Sequence, residues 1–164
     1  MNRIVIVVVS VAFGLVLAWA IWPRRTLKTK GNASKIEVFV SLLMRSPDQK
    51  FLIVGIAGTE DFIQLTAAPD RAQIDFPLIT ERQCSLEPRI LQVAGQLHFD
   101  FYETRGSNGG RFLDCDFVGS SREIADTCRK LLIHVYGISD TTPLTFETDA
   151  SIQPIAAANR CPLY

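Results

Sequence analysis

Acid is missing from the start of this chain. The first thirty residues hold no Asp or Glu, yet they carry five of the 17 basic side chains: Arg3, Arg24, Arg25, Lys28 and Lys30. Within them, residues 4–22 carry no charge of either sign. The remainder therefore holds 12 basic against 17 acidic side chains, a net of −5. A mildly acidic domain argues against nucleic acid as a partner, because phosphate binding needs a basic face. Metal-ligand spacing is missing too: Cys84, Cys115, Cys128 and Cys161 form no C-x-x-C and no Cys/His cluster, which argues against a zinc site. Histidine is scarce, with His98 and His134 the two present. Neither lies near Ser120 or Ser121 in sequence, so these serines read as helix caps and not as nucleophiles.

What the start of the chain does have is apolar length. Nineteen residues, 4–22, span about 28 Å as a helix, which matches a hydrocarbon core of about 30 Å. A cleaved secretory signal would use Ala18-Trp19-Ala20 as its small-x-small site, but the apolar stretch runs on to Trp22 and basic residues follow. An uncleaved single-pass anchor fits better. Trp19 and Trp22 would stand at the headgroup level. Arg24, Arg25, Lys28 and Lys30 form its basic flank, and the same residues are suited to lying along anionic lipid. The more basic side stays cytoplasmic by the charge rule, with a periplasmic domain as the alternative. In the periplasm the even cysteine count would allow two disulfides; in the cytoplasm the thiols stay reduced. Cys115 and Cys128 fall on apolar faces and are expected to be buried.

The expected organisation is a short N-terminal segment (1–3), a transmembrane helix (4–22), a basic linker (23–33), one α+β domain (34–138) and a proline-containing tail (139–164). Asn32 or Ser34 can cap a helix through Ile36, Phe39, Val40, Leu43 and Met44. Residues 51–56 and 62–67 read as a hairpin, and 72–78 as a third strand that has an edge or an end near Pro77. Thr80-Glu81-Arg82-Gln83 is a capping box that opens a second helix, bent or interrupted at Pro88 and ending before Gly95. Leu97, Phe99 and Phe101 alternate with His98, Asp100 and Tyr102 as a fourth strand, answered by 112–118 with Leu113, Cys115 and Phe117 on one side. Ser120-Ser121-Arg122-Glu123 caps a last helix through Ile124, Cys128, Leu131 and Val135, closed by Gly137. The result is a two-layer α-βββ-α-ββ-α domain with an antiparallel sheet. In the tail, residues 144–146 alone are apolar enough to pack back or add a short strand.

The outward positions of the late strands hold His98, Asp100, Asp114 and Asp116, with Tyr102 beside them and Asp75 on the same sheet face. Such a cluster could bind a divalent cation or act as acid and base. The simpler reading is the wet side of a half-covered sheet. The glycine-rich loop 104–111 could cradle an anion, but a strand follows it where a phosphate site needs a helix, so it reads as a hairpin connection. His134 reads as a dipole-compensating or packing residue near a helix end.

The element order, together with GTEDFIQLT (58–66), IDFPLIT (74–80) and DFVGSSREIADTCRKLLIHVYGI (116–138), resembles the bacterial TY-Chap group, which joins type III secretion chaperones to sensory transduction regulators. The resemblance covers about 34–138. It implies a protein-binding or chaperone-like role, often as dimers, and brings no catalytic residue. The membrane anchor departs from a freely diffusing chaperone and points to a bacterial inner membrane. The expected function is a membrane-anchored protein-binding or adaptor module with no catalytic activity and no cofactor. Its partners would be proteins, among them subunits of a membrane complex or a second copy of the chain, together with membrane lipid. The alternatives are an accessory subunit of an inner-membrane complex, and a metal-binding or enzymatic domain using the acidic sheet face.

Overall fold

The computed structural model describes residues 26–46, 51–68, 71–106 and 109–149. The expected transmembrane segment 4–22, with Trp19, Trp22, Arg24 and Arg25, lies outside them, as does Cys161. No helix among the described residues is long and apolar enough to cross a membrane.

Alternating side chains build one seven-stranded sheet. Its strands are β1 (Thr26–Gly31), β2 (Phe51–Ile56), β3 (Phe62–Ala68), β4 (Arg71–Leu78), β5 (Tyr102–Arg105), β6 (Arg111–Val118) and β7 (Leu144–Asp149). They run β1-β7-β2-β3-β4-β6-β5 across the sheet, and every neighbouring pair is antiparallel. Leu52 and Val54, Ile63 and Leu65, Ile74 and Phe76, Leu113 and Cys115, and Leu144 and Phe146 all point to one face and are buried there. That face is covered by α1 (Ile36–Met44), α3 (Glu87–Leu97) and α4 (Ser121–Tyr136), with the short α2 (Glu81–Ser85) leading into α3. The fold is thus α+β with an antiparallel sheet. Burying each of these large apolar side chains contributes about 1.5–3 kcal/mol, which is why the helices settle on this face.

Local sequence decides the helix ends. The Thr80 hydroxyl accepts from the Gln83 amide at 3.2 Å while Gln83 Oε1 accepts from the Thr80 amide at 3.1 Å. Ser120 and Glu123 make the same reciprocal pair. Gly137, at φ 70, closes α4 by donating to the Ile133 carbonyl. Asn32 accepts from the Ser34 amide ahead of a 3-10 turn, Ala33–Lys35, that leads into α1. Pro88 sits in the first turn of α3, where its missing N–H costs nothing, so the expected interruption is a new helix start.

Three expectations change. Residues 26–31, expected as part of the 23–33 linker, are strand β1. Residues 144–146, expected as the one stretch of the 139–164 tail able to pack back or add a short strand, do so within β7 (Leu144–Asp149), which is longer than expected and lies between β1 and β2 as an interior strand. Polar character hid β1 and the 147–149 end of β7, because the two strands gain their stability from each other: Lys28 stands opposite Glu147 and Thr29 opposite Phe146. The third change is at α3, which runs through Gly95 to Leu97, so His98 and Asp100 are not strand residues. His98 caps the helix in the left-handed region at φ 59, and β5 starts only at Tyr102. Leu97, Phe99 and Phe101 still pack on the core, so their apolar character is satisfied without a ladder. β4 is an interior strand, yet Pro77 is tolerated because the β3 ladder ends at the Gln64–Asp75 pair.

Candidate functional site: the open face of the sheet

The same alternation that feeds the core sends every second residue to the opposite face, away from the side on which α1, α3 and α4 pack. Register places one row straight across all seven strands: Lys28, Glu147, Ile53, Gln64, Asp75, Asp114 and Tyr102. The next row holds Phe51, Thr66, Gln73 and Asp116. Phe51, Ile53, Phe62 and Phe112 are each half-buried on this face, a larger apolar load than a purely solvated sheet surface carries.

At the β4–β6–β5 end the face is polar and connected. Gln64 Nε2 donates to Asp75 Oδ2 at 3.2 Å. Asp114 Oδ2 accepts from Thr104 Oγ1 at 2.6 Å and from Gln73 Nε2 at 3.2 Å. Tyr102 donates its hydroxyl to Asp116 Oδ2 at 2.9 Å and accepts from Gln73 Nε2. Asp75 and Asp114 stand directly opposite each other and are only 8% and 5% exposed. Burial, then the charges of Asp114 and Asp116, push the Asp75 carboxyl up to about 7, against a lowering from its Gln64 hydrogen bond. Burial also raises Asp114, with Thr104 pulling the other way and Asp116 adding to the rise. The hydrogen bond to Asp116 is the main reason the Tyr102 hydroxyl is held protonated above its ordinary value.

At the β7–β2–β3 end the face deepens into a cleft of about 390 Å³ between Lys28, Ile53, Gly55, Phe62, Thr145 and Glu147 and the turn residues Gly58 to Asp61. Gly55 keeps its floor open, since a Cβ there would meet Thr145 Oγ1 at 2.8 Å. One wall is held by Asp61, 2% exposed, whose carboxylate takes a bidentate pair of bonds from Arg82. Gln83 Nε2 fastens the same turn to α2 through the Glu60 carbonyl. Under it, Tyr136 donates to the Phe62 carbonyl at 2.9 Å and so ties α4 to β3.

Of the four residues expected to share a sheet-face site, Asp114 and Asp116 are brought together and joined by Asp75 and Tyr102. His98 and Asp100 do not join the network: both are exposed on the α3–β5 connection, where the Asp100 backbone bonds the Cys115 thiol on the core side of β6. Gln64, Gln73 and Thr104 complete the network. The signal for Gln64 and Gln73 was their alternation with Ile63, Leu65 and Ile74, which places them on the outer face. Lys28 and Lys30 are exposed on β1, where their charges suit an edge strand that must not pair with other chains.

Among the described residues no three His, Cys, Asp or Glu are grouped so as to hold a metal ion. Ser120 is engaged in its cap, with its hydroxyl also donating to Glu123 Oε2 at 2.7 Å. Cys115 and Cys128 are buried thiols without a disulfide; burial pushes Cys115 up to about 11 and Cys128 further, so neither is an activated thiolate. Compared with family models, curated proteins and solved structures, the chain finds no match in any of the three.

Proposed function

We propose that this chain is a protein-binding module, tethered to a membrane through residues 4–22, that receives its partner on the open face of the sheet. The observation that carries the reading is the set of half-buried Phe51, Ile53, Phe62 and Phe112 on the sheet face opposite the one on which α1, α3 and α4 pack. Apolar area of this kind becomes worth about 25 cal/mol per Å² once a partner removes it from water. The cleft at one end and the carboxyl network at the other give the face shape and polarity, which is what specificity requires of a docking surface. The module binds and does not catalyse, in keeping with the chaperone-like group its sequence pattern resembles.

A photo-crosslinking residue placed at Ile53 or Phe62 of the full-length protein in its own membrane tests this. Repeated adducts to the same protein are expected from these two positions and not from Glu37, exposed on α1. Absence of adducts from the face, or identical adducts from Glu37, would overturn the reading. An adducted protein that co-purifies in fixed stoichiometry would make the chain an accessory subunit of a membrane complex.

A further inference from the structure

We infer that Asp75 and Asp114 share a single proton at neutral pH, as a carboxyl–carboxylate pair that switches the charge at the centre of the open face. The two residues are cross-strand partners on β4 and β6, a register that sets Cβ atoms about 4.5–5.5 Å apart. Both residues are more than nine-tenths buried. Their Oδ2 atoms are supplied with donors by Gln64, Gln73 and Thr104, but the Oδ1 atom of each is buried and meets no hydrogen-bond donor among the described residues. An unmade hydrogen bond on a buried acceptor is costly, and two ionised carboxylates side by side repel. One proton removes both penalties: it sits on one carboxyl and donates to the other. No larger occupant fits, because these two oxygens have almost no exposed surface.

The surroundings favour uptake of that proton. From β3 the pair is faced by the uncharged Gln64 and Thr66, from β6 by the acidic Asp116, and from β5 by the neutral phenol of Tyr102. Arg71 belongs to the same alternation at the start of β4, and Glu147 and Lys28 lie farther along the row beyond Gln64 and Ile53. The raised Asp75 and Asp114 values agree in direction. The pair carries one negative charge while the proton is held and two once it is lost. As a statement about regulation it rests on the docking reading: a partner that covers the face with apolar groups binds more tightly on the protonated side.

A carbon-13 titration of aspartate side-chain carboxyls in the full-length protein tests the pair whether or not any partner docks. One carboxyl is expected to titrate with a midpoint of about 6 to 8, where unperturbed aspartates finish below about pH 5. Asp114→Asn should lower the Asp75 midpoint by at least about one pH unit, a tenfold loss of proton affinity. Should that variant fail to fold, Asp75→Asn read at Asp114 replaces it with the same expected direction, and the wild-type titration needs neither. The inference is overturned if every aspartate titrates below about pH 5, or if the neighbour's removal leaves the midpoint where it was. A positive titration without crosslinks from Ile53 and Phe62 would remove the docking reading and keep the pair; the reverse would remove the pair alone.

Discussion

His98 occupies the left-handed region at φ 59, where a side chain with a Cβ costs about 1–2 kcal/mol and glycine costs almost nothing. Its backbone N–H donates to the Ala94 carbonyl, so the residue serves as the end of α3, and its place in sequence beside Asp100 has no bearing on the acidic network. His98→Gly should therefore raise stability by about 0.5–1 kcal/mol, seen as a higher urea midpoint. A lower midpoint would mean that the imidazole makes a contact worth more than the strain. The carboxyls of the open face obey a different rule. Asp75 and Asp114 lose water because of which strands stand beside them, and alternation alone could place them on the outer face without indicating that they are buried there.

At the level of elements, the strand that closes the structure comes last in the described chain. β7 joins β1 to β2, and its Phe146 is fully buried, stacked on Phe39 of α1 with ring centroids 4.5 Å apart. Gly31 at the end of β1 passes so close that a Cβ would sit 3.0 Å from the Phe146 ring. Phe146→Ala should cost about 3–5 kcal/mol in urea unfolding, and a chain ended after residue 143 should lose its cooperative transition, since β1 loses its neighbour in the sheet. Val118→Ser, at a position 86% exposed, is the control and should stay within about 0.5 kcal/mol of wild type. A truncated chain that still unfolds cooperatively would show that β7 is an ornament of the sheet.

For the whole molecule the buried pair makes stability depend on pH in a direction opposite to that of salt-bridged carboxylates. Asp75 has its value raised from the ordinary aspartate range to about 7, so between about 4 and 7 the folded state binds more protons than the unfolded chain. Its contribution is fully present below about pH 4, falls as pH rises through that window, and is gone above about 7. Asp75→Asn removes the dependence and keeps the shape. The stability of the variant minus that of wild type should therefore grow from pH 4 to pH 8. The raised value caps this growth at about 4 kcal/mol, and solvent screening on an outer sheet face reduces it to about 1–2 kcal/mol. A difference that stays flat, or shrinks, across this range would contradict the assignment.

The sequence by itself determined what depends on neighbours a few residues away. The Thr80–Gln83 and Ser120–Glu123 boxes, the Gly137 cap, the 51–68 hairpin and the apolar stripe of α4 are all local geometry, written in three- and four-residue spacings or in strict alternation. So is the outward placement of Asp114, Asp116 and Tyr102. The tertiary structure alone decided what depends on partners far along the chain. Residues 26–31 are a strand, and the apolar 144–146 are extended to 149 as an interior one, because residue 26 meets residue 149, a pairing that no local period announces. Alternation over residues 97–102 suits a strand and equally a helix end followed by a packed connection; the burial of Val93 and Ala94 carried α3 on through Gly95. Asp75 and Asp114 became a pair because β4 bypasses β5 to lie against β6. Hydrogen bonding and burial in a sheet are set by which strands meet, and that choice is made by the energy of the whole core and not by any one segment.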